Sequence, residues 1–368
     1  MPDTHPDEVR TASIFQHHRA IRWSVPMCVA GVVGLAAGGV FTAGASPESL
    51  PTLTPAALLA DVQSARVPGF SGTIVAQMSL GLPELPAQAG GAGPASVARL
   101  LSGSHTMRFW YDGPDRQRLA MLGTTNETDI FHNGRDVWQW DSDAHVATHS
   151  VLPAGPEAST RSPELTPQEL AERAIAAIDP STRVSIAANR RVADRSAYEL
   201  VLTPRDSATR VGSVHIAVDG STKMPLGVQV FPRGSESAAI DVSFSEVTFK
   251  KPSADNFRFI PPPGATVHEG SPSAAPDPPT TRAPEPADTA ATTIGSGWTT
   301  IAEFRWTPAR IDKAAGPLLK ELKAAHGPWG SGRLLTSALV SVLITDDGRV
   351  FAGAVDPSAL FAAATAHR

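Results

Sequence analysis

Between residues 70 and 260 the chain repeats one pattern: a short stretch in which apolar and polar side chains alternate, then a turn. Phe70, Gly72, Ile74, Ala76, Met78 and Leu80 alternate with Ser71, Thr73, Gln77 and Ser79, the period of a strand with one apolar face. Similar runs follow at 106–111, 117–122, 127–132, 136–141 and 145–151. They are separated by Asp112-Gly113-Pro114-Asp115, Asn133-Gly134 and Asp141-Ser142-Asp143, sequences that favour tight turns. Strands are expected again at 183–188, 196–203, 212–218, 226–231, 239–249 and 257–260. The helical signals in this region are few. One helix is expected at 55–65, capped by Thr54 with Pro55 at its first position, and another at 163–178, capped by Thr166 with Pro167 and Glu169 behind it. Residues 81–96, rich in Gly, Ala and Pro, read as a loop. The expected fold is α+β, one antiparallel sheet of about eleven strands closed by helices.

The flanks are of a different kind. Residues 23–41 are uncharged, and at 1.5 Å per helical residue the stretch reaches about 28 Å, enough to span a bilayer. Arg10, Arg19 and Arg22 precede it and the first ionisable group after it is Glu48, which predicts a cytoplasmic N-terminus and an exported remainder. The expected division is a cytoplasmic 1–22, a transmembrane helix or uncleaved signal anchor at 23–43, a main domain at 46–268, a Pro/Ala-rich linker at 269–293 and a small α+β module at 294–368. The expected location is the cell membrane, single-pass. Cleavage after Ala43-Gly44-Ala45 is the alternative and would release a secreted form. In the C-terminal module a strand is expected near 298–306, a helix near 311–325, strands at 334–345 and 349–354 around Asp346-Asp347-Gly348, and a helix from Pro357. The excess of arginine over lysine, with abundant Ala, Gly and Pro, is that of a high-GC bacterial genome.

The side chains argue against catalysis and against nucleic acid. The chain has a net charge of −5 and no basic block. Its one cysteine, Cys28, lies in the apolar stretch, so the exported part holds no disulfide, thiolate metal site or cysteine nucleophile. No nucleophile-elbow, zincin or phosphate-loop motif occurs. His145 and His149 share a strand face but stand ~13 Å apart along it, too far to chelate one ion. The paired aspartates at 141–143 and 346–347 lie where hairpins must turn. No enzyme activity, metal or cofactor is expected.

The sheet is rich in aromatic residues, and two Ala-rich helices have too little apolar surface to cover it. These side chains either pack a barrel core or line a cavity.

Several stretches resemble the LolA-like family of exported lipoprotein carriers and lipid-binding proteins in its actinobacterial form. They are FSGTIVAQ (70–77), RFWYDGPDRQRLAML (108–122), NGRDVWQWDSDAHVATH (133–149), AYELVLTPRD (197–206), VHIAVDGSTKMPLGVQVF (214–231) and VSFSEVTFKKPSADNFRFIPPPGATV (242–267). The resemblance covers residues 55 to 268. It implies a half-open antiparallel barrel with an apolar cavity for the acyl chain of a lipid or lipoprotein. Strand alternation then nominates Phe70, Ile74, Met78, Phe109, Tyr111, Met121, Trp138 and Trp140 as wall residues. RseB/MucB-like envelope-stress regulators share this fold and carry a second, smaller domain. Two functions are therefore expected as alternatives: membrane-tethered lipid or lipoprotein handling, or regulation through a membrane partner. That partner would be an ABC transporter in the first case and an anti-sigma factor in the second.

Overall fold

The computed structural model describes residues 50–82, 102–123, 125–152, 180–270, 292–305 and 322–367. Two sheets account for nearly all of its regular structure. The first contains β1 (Phe70–Ser79), β2 (Ser102–Tyr111), β3 (Arg116–Leu122), β4 (Glu127–Asn133), β5 (Asp136–Asp141) and β6 (Val146–Val151). It continues with β7 (Thr182–Val192), β8 (Arg195–Pro204), β9 (Val211–Asp219), β10 (Pro225–Pro232), β11 (Ile240–Thr248) and β12 (Thr266–Glu269). The order is β12-β6-β5-β4-β3-β2-β1-β11-β10-β9-β8-β7, so two meanders meet where β1 pairs with β11. All these pairs are antiparallel except β12, which joins β6 in parallel and makes the sheet mixed. The antiparallel series expected from turn spacing is present. The parallel edge strand was not expected.

Helix α1 (Pro55–Ser64) precedes the sheet, with the Thr54 hydroxyl accepting the Ala57 N–H and Pro55 at the first turn. Leu58 and Val62 join the apolar cluster of the sheet, which defines the inner face as the one α1 covers. The helix expected at 163–178 and the anchor at 23–43 lie outside the described residues. Among those described, no helix is long and apolar enough to cross a membrane.

Residues 257–260, expected as a strand, instead end a short 3-10 helix (Ala254–Phe257) and run on as unpaired extended chain. Pro261, Pro262 and Pro263 follow at once, and none can donate a hydrogen bond to a ladder. The segment crosses the outer face of β3 and β4 as a strap, with Phe257 fully buried beneath it.

The second sheet is built from β13 (Thr292–Ile294), β14 (Ile301–Arg305), β15 (Lys323–Gly327), β16 (Gly330–Thr336), β17 (Ser341–Thr345) and β18 (Arg349–Gly353), in the order β13-β14-β18-β17-β16-β15. Helix α2 (Pro357–Ala366) packs on β17 and β18. Buried Arg349 donates to the Ala364 and His367 carbonyls, satisfying the open C-terminal end of α2. Of the helix expected near 311–325, residues 311–321 lie outside the described residues and 323–325 belong to β15. The expected strand 334–345 is two strands around a turn at Ser337–Val340.

That turn is where the units join. The Ala338 N–H donates to the Leu80 carbonyl at 2.7 Å, and Leu339, 2 % exposed, enters the apolar cluster of the large sheet. The Arg210 guanidinium clamps the turn from the other side, donating to the Ser337 carbonyl and to Asp356. Thr209 pairs with Val355 across the junction, and the Trp298 indole N–H donates to the Thr182 hydroxyl at 2.7 Å.

Candidate functional site

Strand register decides which nominated residues can act together. Direct cross-strand partners point to the same face. Phe70 opposes Tyr111, Gly72 opposes Phe109 and Ile74 opposes Met107, while Met107 opposes Met121 on the next strand. Phe70, Ile74, Met78, Phe109, Tyr111 and Met121 therefore share the inner face. Phe70 is the hub, with ring centroids 5.7 Å from Phe109, 5.4 Å from Tyr111 and 6.0 Å from Phe244. Phe244 lies close because residue 72 has no side chain. A Cβ there would sit 2.8 Å from the Phe244 ring and 2.4 Å from the Glu246 carbonyl oxygen.

Trp138 and Trp140 stand on the opposite face. They oppose Phe131 and Asp129, which in register with Arg118 and Ala120 point away from Phe109 and Met107. On β4 to β6 the inner face mixes Ile130, Val137 and Val146 with His132, Gln139 and Ser150, and Phe131, Trp138 and Trp140 point outward. The strap covers them, since the Phe259 ring lies 5.0 Å from Phe131, 5.3 Å from Trp138 and 5.9 Å from Trp140. His149 stacks on Trp138 at 4.3 Å and bonds to Asp136 and Glu269, pinning β12 to the same edge. Sequence alternation within one strand could not reveal this. Parity across the two-residue Gly134-Arg135 hairpin, which pairs Asn133 with Asp136, carried the signal.

The inner face also includes Met107, Leu119 and Phe244, none of them nominated from sequence. Met107 lies between Ile74 and Met121, so two flexible thioether side chains stand side by side next to the Phe70 cluster. Such side chains repack around ligands of different shape. Among the described residues much of this face is covered, while Tyr111 and Met121 stay partly exposed. Phe70, Ile74, Met78 and Phe109 are buried, and Leu58, Val62 and Leu339 belong to the same cluster.

Charged groups sit at the margins. On the outer face the Arg118 guanidinium lies between the Trp110 and Phe131 rings, 4.7 and 4.5 Å from their centroids, and donates to Asp129 at 2.8 Å. Burial pushes the Asp129 carboxyl up to about 6, outweighing the Arg118 bond that lowers it. Burial likewise lowers His132, whose Nε2 bonds the Gly134 carbonyl. Among the described residues no group of three or more metal-ligating side chains occurs.

If Trp138 serves only the strap basin, Trp138→Ala should leave uptake of a fluorescent fatty acid within about twofold of the parent. It should lower stability by about 2–4 kcal/mol, because the ring is only partly buried. Chemical denaturation and a binding titration on the same sample check both.

No family model matches the chain, and no curated protein matches it. Solved structures similar to it include MucB in the Pseudomonas aeruginosa MucA/MucB complex, at 17% identity and a TM-score of 0.42 over 83% of this chain and 94% of that one. The LolA superfamily protein NE2245 from Nitrosomonas europaea is similar at 12% identity and a TM-score of 0.24, over 56% of this chain and 99% of that one. A putative outer membrane lipoprotein-sorting protein domain from Vibrio parahaemolyticus is similar at 11% identity and a TM-score of 0.22, over 54% and 95%. The structural neighbours of this chain thus include both MucB and LolA-superfamily proteins.

Proposed function

We propose that this chain is a non-enzymatic binding protein that holds the acyl chain of a lipid or lipoprotein against the inner face of a half-open barrel, outside the cytoplasm and tethered by residues 23–41. The observation that carries this is the Met107–Met121 pair beside the Phe70, Phe109 and Tyr111 rings, an adaptable apolar surface over three adjacent strands. The motif resemblance over residues 55–268 points the same way.

Leu58 and Val62 of α1 cover part of this face, so a ligand lying there displaces them. Burying a methylene is worth about 0.8 kcal/mol, so an acyl chain of roughly fourteen methylenes gains about 11 kcal/mol. Lifting Leu58 and Val62 of α1 off the sheet forfeits roughly 3–6 kcal/mol, at about 1.5–3 kcal/mol per side chain. The first term exceeds the second before the cost of association and the partly buried Leu59 are counted, and Leu58 and Val62 are the fully buried apolar side chains of α1 among the described residues. The expected ligand path therefore runs beneath α1.

The cover that α1 and Leu339 place over the inner face also supports a second function, regulation through a membrane protein such as an anti-sigma factor, with contacts made on the outer surfaces. Uptake separates the two. Met121→Glu places a carboxylate on the inner face at a partly buried position, and circular dichroism of the variant should match the parent. It should weaken binding of a fluorescent fatty acid at least tenfold. Unchanged binding, or none by the parent protein after detergent removal, would exclude the acyl-chain reading.

A further inference from the structure

On the outer face, β1 and β11 do not run in even register. Thr73 opposes Glu246 but Ile74 opposes Phe244, so Ser245 is an extra residue in a β-bulge. The bulge opens a groove of about 130 Å³ whose lining includes Ser71, Thr73, Arg108, Trp110, Glu246 and Thr248.

The groove is charged oppositely on its two walls. Arg108 on β2 and Glu246 on β11 both oppose Thr73 from either side, which sets their backbones roughly 10 Å apart at about 4.8 Å per strand. Both are exposed, yet no ion pair joins them to each other or to another described residue. Ser71 and Thr73 stand on the strand between them and Thr248 lies beside Glu246 on β11, and the hydroxyls of all three make no hydrogen bond among the described residues. Arg108 and Arg118 both lie over the Trp110 ring, at 5.1 and 4.7 Å. Arg118 is neutralised by Asp129 and Glu127, so among the described residues lining the groove Arg108 is the cation without an ion pair.

We infer that this groove binds a small zwitterion in which a phosphate and an ammonium are joined by a short chain. The phosphate faces Arg108, whose planar fork suits two phosphate oxygens. The ammonium faces Glu246, and the hydroxyls bridge the middle. A phosphoethanolamine group has this chemistry, either free or as the headgroup of a lipid. The groove and the acyl-binding face lie on opposite sides of the sheet, so either assignment can fail without the other.

Calorimetric titration of the full chain in a nonionic detergent tests the inference with phosphoethanolamine, glycerophosphoethanolamine, inorganic phosphate and ethanolamine. At least one of the two zwitterions should bind at least tenfold more tightly than phosphate or ethanolamine. Preference for the diester assigns a lipid headgroup and preference for the monoester a free metabolite. Glu246→Gln should abolish the preference over phosphate, and Arg108→Gln should abolish binding of both zwitterions. Absence of saturable binding by either zwitterion would overturn the inference, as would equal affinity for zwitterion and phosphate or full binding by both variants.

Discussion

Replacing Asp219 with alanine should cost about 3 kcal/mol of stability, read as a lower denaturation midpoint at unchanged slope. The carboxylate is 1 % exposed and ties one corner of the large sheet. It accepts two hydrogen bonds from Arg195 at 2.6 and 3.0 Å, and further ones from the Ser221 and Thr222 N–H groups and the Thr222 hydroxyl. Alanine would strand these donors around an unpaired guanidinium. The figure is at the low end for a broken buried pair because Arg195 keeps 30 % of its side chain in solvent and can rehydrate. Burial alone would raise the Asp219 carboxyl, but its bonds from Arg195 and Thr222 hold it below the usual range. A carboxyl whose folded pKa is depressed adds stability that is complete above its unfolded value near 4. That contribution is lost as pH falls through the lower folded value. Asp219→Asn should therefore flatten the acid limb of a stability-against-pH curve while leaving its neutral-to-alkaline shape unchanged. The corner also affects the inner face, since the Tyr198 hydroxyl beside it donates to the Pro51 carbonyl, just ahead of α1.

Leu339→Asp should release the second unit from the first. Leu339 sits in the apolar cluster of the large sheet at 2 % exposure, and a carboxylate there costs several kcal/mol unless the turn withdraws. Withdrawal breaks the bond from Ala338 to Leu80 and removes the Arg210 contact to Ser337. The expected readout is rapid proteolysis between the units and a larger radius in small-angle scattering, with the β signal of both sheets retained. A globally unfolded protein would instead make this turn part of one cooperative core.

Much of this was legible in the sequence, and the losses have physical causes. Most of strands β1 to β11 announce themselves because apolar and polar residues alternate between turn-favouring sequences, although β10 is buried at four consecutive positions. The turn at Ser337–Val340 carries no Gly, Pro or Asn. It is apolar because it docks against the large sheet, so it read as a continuing strand. Phe257 and Phe259 looked like strand residues because burial under a strap selects the same side chains as burial in a sheet. Among the nominated wall residues, Phe70, Ile74, Met78, Phe109, Tyr111 and Met121 fall on one face. Trp138 and Trp140 fall on the other, because facing depends on register across hairpins and is invisible within one strand.

The central claim is that an acyl chain lies on the inner face. Photo-crosslinking of the full chain with a diazirine fatty acid, followed by peptide mapping, tests it most directly. Adducts should fall on Met107, Phe109, Tyr111 and Met121, and excess unlabelled fatty acid should suppress them. Labelling confined to the outer aromatic basin at Trp138 and Phe259, or labelling that competitor does not suppress, would contradict it.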